Sequence, residues 1–259
     1  MKRLRHPNVV KLYGMVTRSH PLMVVMELLP HGPLNTFLAS SGYPGSDQLS
    51  PVQRVGVCVG VCAGVRYLAG EGLIHGDLSA RNVLVGSDLA VKVADFSFAR
   101  LIRSPFPLLF PNPQENDHNT SGRQTTTTTP PPPLTTAINS YRWEAVEVLE
   151  GCGQSVWTDV WSFGVLMWEV FTRGRLPYNL LHTRQDVQDY VCEGGRLSRP
   201  RLCPQEPWDQ LITRCWLEEP QQRPTFDDML DYLKKWQENE ANPKGIRKIK
   251  LGIFNRGFD

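Results

Sequence analysis

The segment Leu73 to Val85, LIHGDLSARNVLV, sets an aspartate, Asp77, five positions before an asparagine, Asn82, in a polar stretch running into an apolar strand. That pair suits phosphate chemistry: a carboxylate accepts or orients a hydroxyl proton, and an amide carbonyl oxygen is a hard ligand for Mg2+. Val83 to Val85 and Ala90 to Ala94 read as short strands joined at Gly86, Ser87 and Asp88, a hairpin signal. A hairpin brings its ends together. Asn82 at its entrance and Asp95 at its exit are therefore expected side by side, as oxygen ligands for a metal carrying a polyphosphate. The alternative is three solvated loop residues that fall at these spacings by chance.

HGDLSARN resembles the catalytic loop of protein kinases, and Asp95, Phe96 and Ser97 resemble the metal-binding DFG triplet of that family. The family pattern is HRD and DFG; here Gly76 replaces the arginine and Ser97 the glycine. Arg81 directly before Asn82 resembles the tyrosine-specific branch. Leu4 to Gly14, LRHPNVVKLYG, looks like the end of the regulatory helix and the next strand of the small lobe, and Leu22 to Glu27, LMVVME, like the strand reaching the hinge. Arg142, Trp143, Ala145, Val146 and Glu147 resemble the RWxAPE segment with valine for proline, and TDVWSFGVLMWE at Thr158 to Glu169 resembles the central helix of the large lobe.

The resemblance implies an α+β, protein-kinase-like fold, with a mainly helical large C-lobe and a truncated β small lobe. Residues 1–29 would be a remnant of the N-lobe and hinge, and 30–236 the C-lobe with a disordered activation-loop insertion at about 104–136. A basic C-terminal tail would fill 237–259. It also implies ATP and Mg2+: Asp77 as base, Asn82 and Asp95 on the metal, Arg81 shaping the peptide site, and Met26, Glu27, Leu29 and Leu84 around the nucleotide. Asp159 would cap the catalytic-loop backbone, and Arg223 would pair with Glu147.

Hydrophobic residues make up 41% and charged residues 21% of the 259, enough to bury a sizeable core. A net charge of +2 demands no nucleic-acid partner, and none is expected. No h-region opens the chain and no stretch reaches the roughly 20 apolar residues that span a bilayer, so a cytoplasmic protein is expected. The six cysteines show no CxxC spacing and read as buried small hydrophobes. Val55 to Val65, VGVCVGVCAGV, is ambiguous: valines alternate as in a strand, while Gly56, Gly60 and Gly64 would line one helical face. A membrane GxxxG dimer is a rival. The resemblance favours a buried helix, its glycines packed on the central helix. Trp161, Trp168, Trp208 and Trp216 read as core anchors.

Three parts of the kinase machinery have no match: the glycine-rich loop, the strand lysine and the helix glutamate that orients it. Glu27, at the hinge, is the first acidic residue, and Lys2 and Lys11 fall at unsuitable places. The strands Val9 to Val16 and Leu22 to Met26 would form one hairpin with an apolar face and an unpaired edge. Either Met1 is an internal methionine of a longer kinase, or a shortened product pairs that edge with a partner.

Ser104 to Thr136 holds eight prolines and eight threonines, a composition expected to be disordered with a polyproline II stretch at Pro130 to Pro133. It is either a solvated insertion, a docking site for SH3/WW-type readers, or a target of proline-directed kinases at Ser104 or Thr129. No tyrosine occurs from Phe96 to Ser140, and Gly76 removes the loop arginine, so the usual phosphotyrosine switch has no parts. The basic tail, with Lys244, Arg247, Lys248, Lys250 and Arg256, is either solvated or meets an anionic membrane or another lobe. Two function classes stand: a protein tyrosine kinase acting on a protein substrate in its complete form, and a pseudokinase scaffold.

Overall fold

Three two-stranded antiparallel sheets and seven α-helices are formed by the described residues of this computed structural model, 4–18, 21, 23–40, 49–102 and 140–242. The first sheet pairs β1 (Leu12–Val16) with β2 (Met23–Met26), in a register of Val16 opposite Met23 and Leu12 opposite Met26 with a bulge between Leu12 and Gly14. This is the hairpin expected from the sequence, and its outer surface is apolar: Met23, Val24, Val25 and Met26 are about half exposed, Tyr13 and Met15 somewhat more. It is not free-standing, however. Val10 N–H donates to the Val93 carbonyl at 2.9 Å and Val93 N–H to the Asn8 carbonyl at 2.9 Å, which ties its base to the catalytic region.

Below it the chain turns helical, with α1 (Leu34–Ala39) and then α2 (Pro51–Gly70). Ser50 and Gln53 close a capping box around Pro51, so three adjacent sequence signals start α2 together. The ambiguous valine run is therefore helix. Its glycines do not face the central helix as expected. A Cβ on Gly56 would meet Gln237 at 2.7 Å, one on Gly60 would meet Val91 at 2.6 Å, and one on Gly64 would lie 2.4 Å from the Asn8 carbonyl oxygen. Gly60 and Gly64 admit the segment before β1 and the hairpin strand at Val91 and Val93, and Gly56 admits Gln237.

By length and composition α2 is apolar enough to cross a membrane, contrary to the expectation that no stretch reaches that length. Here it is a core helix. Val55, Cys58, Val61 and Cys62 are fully buried, and the buried Arg54 guanidinium donates to the carbonyls of Leu49 (3.2 Å) and Val170 (2.6 Å).

β3 (Leu73–Ile74) pairs with β6 (Arg100–Leu101), and β4 (Val83–Val85) with β5 (Val91–Val93), framing the catalytic loop. Then follow α3 (Val146–Leu149), α4 (Val156–Phe171), α5 (Arg184–Cys192), α6 (Gln205–Pro207), which runs into tight turns to Trp216, and α7 (Phe226–Ala241). α4 is the axis of the core, with Trp161, Phe163, Leu166 and Phe171 buried. Trp216 is buried as expected, whereas Trp168 and Trp208 are only partly so: Trp168 sits at the margin, its indole N–H on the Ser198 carbonyl. The architecture is the α+β arrangement expected, a mainly helical lobe under a small β remnant. All six cysteines are unpaired thiols. The Pro- and Thr-rich stretch and the basic tail from 243 lie outside the described residues.

Candidate active site

β4 and β5 are in register, Val83 opposite Val93 and Val85 opposite Val91, and Ala94 N–H donates to the Asn82 carbonyl at 2.8 Å. That bond extends the ladder to the two residues flanking the hairpin, so the structure brings Asn82 and Asp95 together. Asn82 gives both amide hydrogens to Asp77, one to the main-chain carbonyl (2.7 Å) and one to Oδ2 (2.8 Å). Its Oδ1 is the atom left to face a cation. Asp95 sits in the left-handed region at φ 57°, its Oδ1 bonded by the Ser97 amide (3.2 Å) and hydroxyl (2.5 Å).

Asp77 is held on both oxygens. Arg81 donates to Oδ1 at 2.6 Å from one turn on, and its guanidinium lies 4.5 Å from the centre of the Trp143 ring. Burial pushes the Asp77 carboxyl up, while Arg81 and the Asn82 amide pull it down without cancelling the rise. A buried carboxylate with two donors is shaped to accept one proton at a fixed point.

The loop beneath is fixed from α4. The Asp159 carboxylate accepts the amides of His75 (2.7 Å) and Gly76 (2.9 Å), and burial raises its pKa to about 6 against those two bonds. Glu169, nearly three turns on, accepts the Ala80 amide (2.9 Å) and the Trp143 indole N–H (2.8 Å), and burial raises it to about 7. His75 is buried with Nε2 3.0 Å from the Ala94 carbonyl and Nδ1 3.3 Å from the Asp77 amide, a pattern that a neutral ring protonated on Nε2 satisfies at both ends. Burial lowers its pKa to about 4.

The residues assigned to the nucleotide are spread along the hinge. Leu29, with Val10 and Ala94, forms a small apolar cluster on which Leu84 packs, an apolar bed of the kind a base lies on. Met26 is 45% exposed at the end of β2, on the solvent side of the hairpin rather than behind a closed pocket, because no further strand covers it among the described residues. The Glu27 side chain is not free: its carboxylate takes Lys92 Nζ on both oxygens at 2.8 Å and the Lys11 amide at 2.7 Å. Burial pushes that carboxyl up, but these bonds outweigh it and hold it below the usual range.

The segment expected to contact substrate is anchored in the large lobe. Arg142 reaches the carbonyls of Pro177, Tyr178 and Leu181, and Arg223 pairs with Glu147 through two bonds of 2.7 and 2.8 Å in a nearly solvent-free site. Glu169, Gln154, Lys92 and the Ser97 hydroxyl had no role assigned from sequence. Of these only Glu169 left a signal, a carboxylate in the apolar C-terminal half of α4.

The family model for protein tyrosine and serine/threonine kinases matches residues 1–106 and 131–233. The chain belongs to the protein kinase family. The match breaks inside the Pro- and Thr-rich stretch, which marks 107–130 as foreign to the family pattern. Among relatives, ephrin type-A receptor 5 of Homo sapiens is 36% identical over 255 residues, 98% of this chain and 22% of the receptor. Ephrin type-A receptor 7 of Gallus gallus is 37% identical over 256 residues (99% and 23%), and cytoplasmic tyrosine-protein kinase BMX of Homo sapiens 35% over 242 residues (93% and 31%). The chain thus spans about a fifth to a third of these relatives, and is a tyrosine-kinase-like catalytic domain.

The kinase domain's residues fit Mg2+ as two oxygen ligands at adjacent strand ends, a set that expects phosphate oxygens and water to complete the shell. When bound, that ion neutralises the charge developing on the transferred phosphoryl group.

Proposed function

We propose that the complete form of this domain transfers the γ-phosphate of ATP to a tyrosine side chain of a protein. The tyrosine hydroxyl gives its proton to Asp77 as its oxygen bonds to the γ-phosphorus; the bond from that phosphorus to the β–γ bridging oxygen breaks, and ADP leaves. Asn82 and Asp95 hold Mg2+, and Arg81, fixed between Asp77 and Trp143, borders the peptide site. Met26, Glu27, Leu29 and Leu84 border the nucleotide. The observation that carries this reading is the single cluster in which Asp77 orients Asn82 while Asn82 is bonded through its main chain to the residue before Asp95.

A second reading has its own support. Glu27, the first acidic residue of these 259, is committed to Lys92, so it is not available to orient a lysine on the α and β phosphates. Losing one preorganised donor costs roughly 10² to 10³ in rate. The 259 residues alone are therefore proposed as a slow or inactive kinase domain that binds protein partners, with residues 1–29 as the remnant of the N-lobe and hinge, 30–236 as the large lobe and 237–259 as a basic tail. A cytoplasmic site of action and an SH3/WW-type reader of the proline run belong to the same proposal.

The experiment is phosphate transfer from ATP to a tyrosine peptide by the endogenous protein and by its Asp77→Asn form. A loss of about 10² to 10⁴ supports the base assignment; equal rates would remove it.

A further inference from the structure

Gly76 stands directly before Asp77 with φ at 77°, a left-handed conformation that glycine adopts without strain. Its amide is held by Asp159 at 2.9 Å. Its carbonyl is held from the other side by Gln154, whose Nε2 donates to it at 2.9 Å. Gln154 is placed by sequence logic of its own, since it immediately precedes Ser155, the cap of α4, whose side chain accepts from Trp157 N–H while Thr158 returns a bond to the Ser155 amide. The same rigid helix start thus presents Gln154 to one end of the Gly76 residue and Asp159 to the other.

The glutamine also takes the space of a side chain at position 76. A Cβ there would lie 2.7 Å from Gln154 Oε1 and 3.0 Å from the Phe98 carbonyl oxygen. Gln154 Oε1 is itself buried without a hydrogen-bond partner. Beside it lies a cavity of about 20 Å³, lined by Gly76, Asp77, Trp143, Thr158 and Ser162 among others.

We propose that Gln154 is the positioning residue for Asp77, locking the Gly76–Asp77 peptide by its carbonyl and filling the volume of a side chain at 76. This rests on the reading of Asp77 as base. The lock consists of neutral and acidic groups of the α4 start, so it sets the loop without any cation that could receive a loop phosphate.

The test is made on the full 259-residue chain with Gln154→Met, which keeps the volume and removes the donor, read by amide hydrogen exchange at Asp77 against that of α7 as a control for global opening. The expected result is exchange at Asp77 faster by about tenfold relative to α7, the factor one hydrogen bond carries. Gly76→Ala should destabilise the native background more than the Gln154→Ala background, which lacks the Oε1 contact. Asp77 exchange unchanged relative to α7 in Gln154→Met would overturn the proposal, even if the midpoint of thermal unfolding fell. Asp77→Asn separates the two readings: transfer by the endogenous protein that survived it would end the base assignment, while the exchange result would still report on the lock.

Discussion

Glu169 and Asp159 are carboxylates sunk in the core under the catalytic loop, and both are shifted upward by burial. A raised carboxylate holds its proton in the folded chain at pH values where the unfolded chain has lost it, so stability falls as pH rises through that window. For Glu169 the window runs from its ordinary value of 4.5 to about 7, and for Asp159 from 3.8 to about 6. His75, lowered from 6.5 to about 4, acts in the opposite sense and adds stability as pH rises between those values. Glu169→Gln should therefore remove a decline in stability between pH 4.5 and 7, checked by urea unfolding at a series of pH values; an unchanged profile would place the Glu169 pKa near its ordinary value. At Asp95, the carboxylate proposed for the metal, the Ser97 hydroxyl is bonded to Oδ1. Ser97→Ala should weaken Mn2+ binding, followed by electron paramagnetic resonance, by about tenfold.

The elements were legible where a cap or a turn signal stood beside a periodic run. Ser50, Pro51 and Gln53 announce α2, and Gly86 to Asp88 announce the β4–β5 hairpin that carries the site. Contacts between elements were not, because periodicity fixes a residue's face and not the neighbour that face meets. The α2 glycines show this: their common face was visible, but Asn8, Val91 and Gln237 as its partners were not. The same limit hid Gln154 and Lys92, whose partners lie 78 and 65 positions away. Gly64→Ala tests the close approach. Its new methyl would meet main chain at Asn8, which cannot swing aside, so a loss of about 1–3 kcal/mol is expected in chemical unfolding.

At the scale of the molecule, two features pull in different directions. The large lobe is pinned by the buried Glu147–Arg223 pair; Arg223→Ala leaves a charge without its partner and should cost about 3–5 kcal/mol, measured as a shift in the urea midpoint. The β1–β2 hairpin instead shows water an apolar surface of methionines and valines. The cluster of Asp77, Asn82 and Asp95 lies where the two meet, near the apolar bed of Val10, Leu29 and Ala94. The proposed Mg2+-dependent nucleotide site is tested most directly by calorimetric titration of ATP into the full chain, with and without Mg2+ and beside Asp95→Asn. Binding that requires Mg2+ and disappears in the variant is the expected result; binding indifferent to both, or none at millimolar Mg2+ and ATP, would contradict it.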